Sequence, residues 1–352
     1  MIKNICTAAV AILLISACSS PPVIIDVPTV PGVAYVPASK TANIKPGEKI
    51  QDLFKTNTEK EYALQKVDGG LYVMFSQFYN VPFYVGTTGV LVFDPAIGSD
   101  EALLKAIKEV TDLPITRIVY SHHHFDHIGG SAPLVEAMRA RGVRVEVIAT
   151  RKTAEILSDT GSTRQAPVTR TLDVAAGQTT LDFEGVKLKV VEFKSPTHSL
   201  DQAVFLVEPY NVVITPDFVS PDQLPFFRFS YAAANVGSYR ENLEALNKLP
   251  WSRLIGGHGN FGSKADVNFL IEFIADLDRE VAAARASAPE VDPVKYGSDT
   301  AIPYIQEPYI IKQVRAQLDS KYGRYYGYTY GIDSFIQEAI VYATTGIRAP
   351  RN

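Results

Sequence analysis

Apolar residues in this chain fall mostly into short alternating runs, cut apart by Gly, Thr, Pro and Asp, and a few longer stretches space them at helical intervals. Leu71 to Ser76, Pro82 to Gly86 and Gly89 to Asp94 read as antiparallel strands joined by turns. Ser99-Asp100-Glu101 starts a helix whose apolar spacing continues through Val110. Ile115 to Tyr120 reads as a buried strand that runs straight into a histidine cluster. Ser131 to Arg141 reads as a helix closed by Gly142, Val143 to Ala149 as a strand, and Thr150 opens another helix. Strands then dominate: Thr179 to Phe183, Val186 to Phe193, Ala203 to Val207 and Asn211 to Thr215. A helix over Ser238 to Leu249, a strand over Arg253 to Gly256 and a long helix over Lys264 to Ala286 follow. The order β-rich, mixed, β-rich, mixed predicts an α/β (α+β) chain with two packed sheets and helices outside.

The two ends differ from this pattern. Lys3 precedes an apolar run from Ile5 to Ala17, too short to span a bilayer comfortably, which reads as a secretory signal over residues 1–17. It ends in Ile15-Ser16-Ala17-Cys18, which resembles a bacterial lipobox. That resemblance implies cleavage before Cys18, a lipid on its sulfur, and membrane attachment of an exported protein. Ser19 in place of Asp points to the periplasmic side of the outer membrane. Pro21, Pro22, Pro28, Pro31, Pro37 and Pro46 mark residues 18–49 as an extended tether, with the main domain expected over 50–288. Residues 289–352 read as a helical, Tyr-rich C-terminal extension, with helices near 307–318 and 332–343 around a Tyr/Gly stretch. That stretch suits a lid, a dimer surface or plain packing.

Composition narrows the function. The chain has 352 residues and a formal net charge of -4, so there is no basic surplus to hold phosphate backbones, and nucleic acid is excluded as a partner. A small-molecule substrate is expected instead. Cys6 and Cys18 are the only cysteines, so the mature domain would offer no thiol to a metal or a disulfide.

The chemistry concentrates in His122-His123-His124-Phe125-Asp126-His127, at a predicted strand end. Imidazole nitrogens and carboxylate oxygens are the ligands that zinc accepts at about 2.0–2.2 Å. Of six histidines, four lie here; the others are His198 and His258. His198, Asp217 and His258 each follow shortly after a predicted apolar strand, so the remote candidates share one topological position. Asp222 competes with Asp217; the strand that immediately precedes Asp217 favours it.

The pattern His-x-His-x-Asp-His, then His198, Asp217 and Gly257-His258-Gly259, resembles the metallo-β-lactamase superfamily over roughly Leu71 to Ala286. The resemblance implies an αββα sandwich of two mixed β-sheets flanked by helices, with a two-metal cleft at one sheet edge. By carry-over, His122, His124 and His198 would bind one ion, Asp126, His127 and His258 the other, and Asp217 would bridge them. His123 has no assigned role. Pro216 before the bridging Asp and Thr197 before the third His depart from the Gly that many members carry there, which could tilt the cleft.

The ligand set implies two zinc ions, with iron or manganese as alternatives, and hydrolysis of an ester or lactone by a hydroxide shared between them. Asp126 would be the catalytic proton carrier. The bridging Asp217 disfavours a β-lactam hydrolase, whereas thioesterases and phosphodiesterases of the same fold share the ligand set. A metal-binding lipoprotein without catalysis is the remaining reading, and the intact ligand set counts against it. Phe226, Phe227, Arg228 and Tyr231 follow the bridging Asp and are candidates to bind a partly apolar, anionic substrate.

Overall fold

The computed structural model describes residues 33–225, 228, 236–296, 299 and 301–345. Its first sheet has seven strands in sequence order: β3 (Ala63–Asp68), β4 (Leu71–Ser76), β5 (Tyr79–Val85), β6 (Val90–Phe93), β7 (Ile115–Val119), β8 (Glu146–Thr150) and β9 (Arg170–Leu172). Its first four strands are antiparallel neighbours, and pairing turns parallel from β6 onward. The second sheet runs β10 (Gln178–Phe183), β11 (Val186–Glu192), β12 (Ala203–Val207), β13 (Val212–Thr215), β14 (Arg253–Gly256) and β15 (Phe261–Gly262), with only β13 and β14 parallel.

Alternation within the strands explains the layers. In β4, Val73 and Phe75 enter the core between the sheets, while Met74 faces the helices outside. In β12, Ala203, Phe205 and Val207 face the same inter-sheet core, and Val204 and Leu206 face the opposite helical layer. Both faces of each sheet are therefore covered, which accounts for strands that are apolar at nearly every position. The expected αββα sandwich is the observed fold.

The helices of the first layer include α2 (Asp100–Lys108), α4 (Ser131–Ala140) and α5 (Arg151–Asp159), with a single turn α3 (Phe125–Ile128) between α2 and α4. Thr150 caps α5 by accepting from Thr153 N–H, as its position before the helix predicts. The second layer is built from α6 (Val236–Lys248), α7 (Lys264–Ala286), α9 (Ile302–Tyr322) and α10 (Tyr328–Thr345); α8 (Pro293–Tyr296) is a short connector.

Both flanks of the expected main domain pack against it. Residues 33–49 are not a free tether: β1 (Ala34–Val36) pairs in parallel with β2 (Glu48–Ile50), and Ile44 is buried in the inter-sheet core. Polar contacts outside the reach of composition hold this segment down. The Arg253 guanidinium donates to the carbonyls of Ile44 and Val67, and the Asn260 amide accepts from Ile50 N–H and donates to Ile50 O. The C-terminal region is helical as expected and packs on the sandwich: Ile310, Val314, Phe335 and Ile336 share one core with Val204, Leu206 and Val213 of the second sheet. Residues 1–32, Cys18 among them, lie outside the described residues.

Helix α1 (Leu53–Glu59) and strand β3 have weak local signals and escape the sequence pattern. Strand β5 begins at Tyr79, earlier than the predicted Pro82, because Ser76 and Tyr79 pair across a two-residue turn.

Candidate metal centre

The residues singled out after the strands converge. His122 and His124 follow β7, His198 lies between β11 and β12, Asp217 follows β13 and His258 follows β14. Asp126 and His127 sit on α3, the turn that folds the histidine cluster back toward the second sheet. Among the described residues two groups form: His122, His124, His198 and Asp217, and Asp126, His127, Asp217 and His258. Within each group the ligand atoms lie within 4.8 Å of one another, and Asp217 belongs to both. Asp222, the competing carboxylate, lies in neither; it pairs with Lys49.

Asp217 is buried and contacts three rings. Its Oδ2 is 2.8 Å from His127 Nε2 and 3.3 Å from His198 Nε2, and its Oδ1 is 3.2 Å from His258 Nε2. Asp217 adopts φ 58°, the left-handed region that Asp tolerates better than most residues. The His258 ring is oriented by Nδ1–H donating to the Phe78 carbonyl at 2.8 Å. That leaves His258 Nε2 facing Asp217 Oδ1, the arrangement of two ligand atoms around one cation site. His124 Nδ1 and His198 Nε2 face each other at 2.6 Å, and the buried His122 Nε2 has no hydrogen-bond partner while its Nδ1 meets Ser121 Oγ. Imidazole nitrogens left unpaired and aimed at a shared carboxylate fit a divalent metal site.

At His122 and His198 the protonation states agree with that fit. Burial and the neighbouring histidines push His122 well below the ordinary range, and burial takes His198 down to about 4, so both rings stay neutral. Burial alone would also lower His127, but Asp217 outweighs it and raises this ring to about 9. Burial would raise Asp217, yet the facing His127, above all, and His258 hold it well below the carboxylate range.

Several residues that sequence reasoning missed position these groups. Asp94 ends β6 at the same edge, accepts from Ser121 N–H at 2.7 Å, and is pushed by burial to about 7. Its place at a strand end was a usable signal. Asn80 donates to the carbonyls of Gly256 and Gly259 and its N–H bonds Gly257 O, clasping the loop that carries His258. Gly257 has no room for a side chain: a Cβ there would meet Asp217 Oδ1 at 2.5 Å and His127 Cε1 at 2.7 Å. His123, given no role, is a strut whose Nδ1 meets the buried Asp201 at 2.8 Å, joining the His122 turn to the His198 loop.

The two departures from the family pattern share one partner. Thr197 Oγ1 donates to Gln202 Oε1, and Gln202 Nε2 donates to the carbonyl of Pro216. One amide thus spans the loops that deliver His198 and Asp217, and both ligands remain in the cluster.

Tyr79 is the tyrosine at the centre. Its hydroxyl donates to Asp126 Oδ2 at 3.4 Å, and its ring lies 5.3 Å from that of His127 and 4.8 Å from that of His258. Burial, then the charges of Asp126 and Asp217, push it up to about 12, so it remains a donor. Of the candidate substrate residues, Phe226, Phe227 and Tyr231 lie outside the described residues. Arg228 is exposed, with its N–H bonded to Ser334 Oγ and its guanidinium 3.5 Å from Glu338 on α10.

The model of the metallo-beta-lactamase superfamily matches residues 78–258, about half of the chain, and spans all seven positions. The chain belongs to the metallo-beta-lactamase superfamily. A hydroxyacylglutathione hydrolase of Prochlorococcus marinus (strain MIT 9301) is 29% identical over 177 residues, covering 49% of this chain and 61% of that protein. The hydroxyacylglutathione hydrolase of Nitrobacter hamburgensis is 27% identical over 228 residues, covering 61% and 76%. The chain thus spans about three fifths to three quarters of the length of these superfamily relatives. A solved metallo-beta-lactamase from Pontibacter korlensis matches with a TM-score of 0.50 at 19% identity, covering 61% of this chain and 99% of that one, a likeness of fold.

Proposed function

We propose that this superfamily member is a metal-dependent hydrolase of carboxylic acyl bonds, with an ester or lactone as substrate and two zinc ions as cofactor. The observation that carries this reading is the position of Asp217 in both ligand groups. His122, His124 and His198 would hold one ion, Asp126, His127 and His258 the other, and Asp217 both. Neutral imidazoles and carboxylates without sulfur suit zinc, with iron and manganese as the competing ions. Bound there, such ions would activate water near neutral pH and polarise an acyl carbonyl.

The chain's own groups supply the rest. Asp126 is half exposed in the cleft and can accept a proton at a carboxylate oxygen, then return it to the leaving oxygen. The Tyr79 hydroxyl keeps the Asp126 carboxylate turned toward the cleft by donating to Oδ2. Relatives named hydroxyacylglutathione hydrolases support a thioester as the second reading.

The test is a screen of the zinc-loaded chain against aryl esters, lactones, thioesters, phosphodiesters and β-lactams. Turnover confined to phosphodiesters or β-lactams would overturn the acyl-ester reading. Asp126→Ala is expected to lower kcat by about 10²-fold or more, the scale of general acid–base catalysis, with little change in melting temperature. Activity within threefold of the parent would refute its role in proton transfer.

We further propose that the protein is exported and held at the outer membrane by a lipid on Cys18. Cys18→Ala is expected to move the protein from the membrane fraction to the soluble fraction. Unchanged membrane association would rule the anchor out.

A further inference from the structure

Beside His258 lies a small cleft walled by segments that flank the family's own span. Phe54 of α1 stands between Phe78, at the tip of the β4–β5 hairpin, and Tyr326, from the turn before α10. The Phe54 ring is 6.4 Å from that of Phe78 and 6.1 Å from that of Tyr326. Tyr326 is fixed there by backbone pairing, its carbonyl accepting from Leu224 N–H at 2.9 Å. Thus both chain flanks, rather than the sandwich alone, close this side of the metal centre.

Two further observations point to an occupant. Gln223 lines the cleft with only 4% of its surface exposed, and its buried Oε1 has no hydrogen-bond partner; the Oδ1 of Asn57, also in the lining, is in the same state. Buried amide oxygens normally find donors, so two unpaired ones in one cleft ask for a donor from outside. The second observation is strain. Gln77 and Phe78 form a two-residue hairpin turn with φ of 50° and 67°, a conformation that Asn-Gly adopts far more easily. Nevertheless a large ring stands at that tip, 46% exposed, on the residue whose carbonyl orients His258. Strain of this kind persists where a side chain is needed for function.

We propose that this cleft is a substrate subsite for a single aromatic ring bearing a hydrogen-bond donor, such as a phenolic hydroxyl or an anilide N–H. The ring packs on Phe54, Phe78 and Tyr326, and its donor reaches Gln223 or Asn57. The catalytic context rests on the hydrolase reading above, but occupancy of the subsite does not.

The experiment therefore reads binding first. Titration calorimetry of the metal-loaded full chain compares 4-hydroxyphenylacetamide, phenylacetamide and acetamide, none of which carries an ester. The phenolic probe is expected to bind about tenfold or more tighter than acetamide, the scale of one buried ring. Phe54→Leu, a mild change at a partly exposed helix position, should remove most of that gain by taking away the ring face. Gln223→Leu should erase the preference for the phenolic probe over phenylacetamide. Equal binding of the three probes, or a preference untouched by both variants, overturns the subsite. Discrimination among probes without any turnover of esters, lactones or thioesters would sink the hydrolase reading and leave the subsite standing. In turnover, Phe54→Leu should lower kcat/KM for aryl-substituted esters about tenfold relative to plain acetyl esters.

Discussion

Asp217→Ala is expected to reduce bound metal from close to two ions per chain to fewer than one, and to lower kcat/KM by at least about 10²-fold, since even the hydrogen-bond partners of metal ligands act on that scale. The physical reason is the sharing. Asp217 offers one oxygen to His127 and His198 and the other to His258, so it is the anion that both groups have in common. Without it, His122, His124 and His198 keep their nitrogens but lose the charge that offsets a divalent cation in a buried site. His127 also loses the partner that raises it. Elemental analysis of purified protein beside steady-state kinetics checks this. A variant that retains both ions would show that the two groups are independent, and the bridging role of Asp217 would fall.

Lys49→Met is expected to cost about 3–5 kcal/mol of stability, the usual scale for removing one partner of a buried ion pair. Lys49 is 2% exposed, and its ammonium bonds Asp222 and, at 2.6 Å, Asp266. Burial works to lower its pKa, but the two carboxylates outweigh it and keep the lysine charged. Asp266 also closes the capping box of α7 by accepting from Ser263 N–H at 2.7 Å. Methionine would fill the space and leave two carboxylates close together in a largely buried site. Denaturant unfolding measures the loss, and metal content should hold because Lys49 touches no ligand. A loss below about 1 kcal/mol, typical of exposed pairs, would show that the triad is solvated.

Lys49 also marks the limit of what could be read from the chain. A proline-rich stretch signals extended backbone, and residues 33–49 are largely extended, but composition says nothing of what such a stretch packs against. Its anchors, Asp222, Arg253 and Asn260, lie far away in sequence. The same holds for Asn80, Gln202 and Tyr79. Each is a lone polar or aromatic residue with no spacing pattern, and each acts on a loop that only folding brings near.

The sequence by itself determined the layers and the candidate ligands. Period-two alternation reports which face of a strand is buried, and a polar residue just past an apolar strand must sit at a sheet edge. His122, His198, Asp217 and His258 all obey that local rule. The tertiary structure alone decided that Asp217 is shared by both groups, that the N-terminal segment and C-terminal helices pack on the sandwich, and that Phe54 and Tyr326 meet beside His258. These outcomes depend on contacts between distant elements, and such contacts leave no period in the chain.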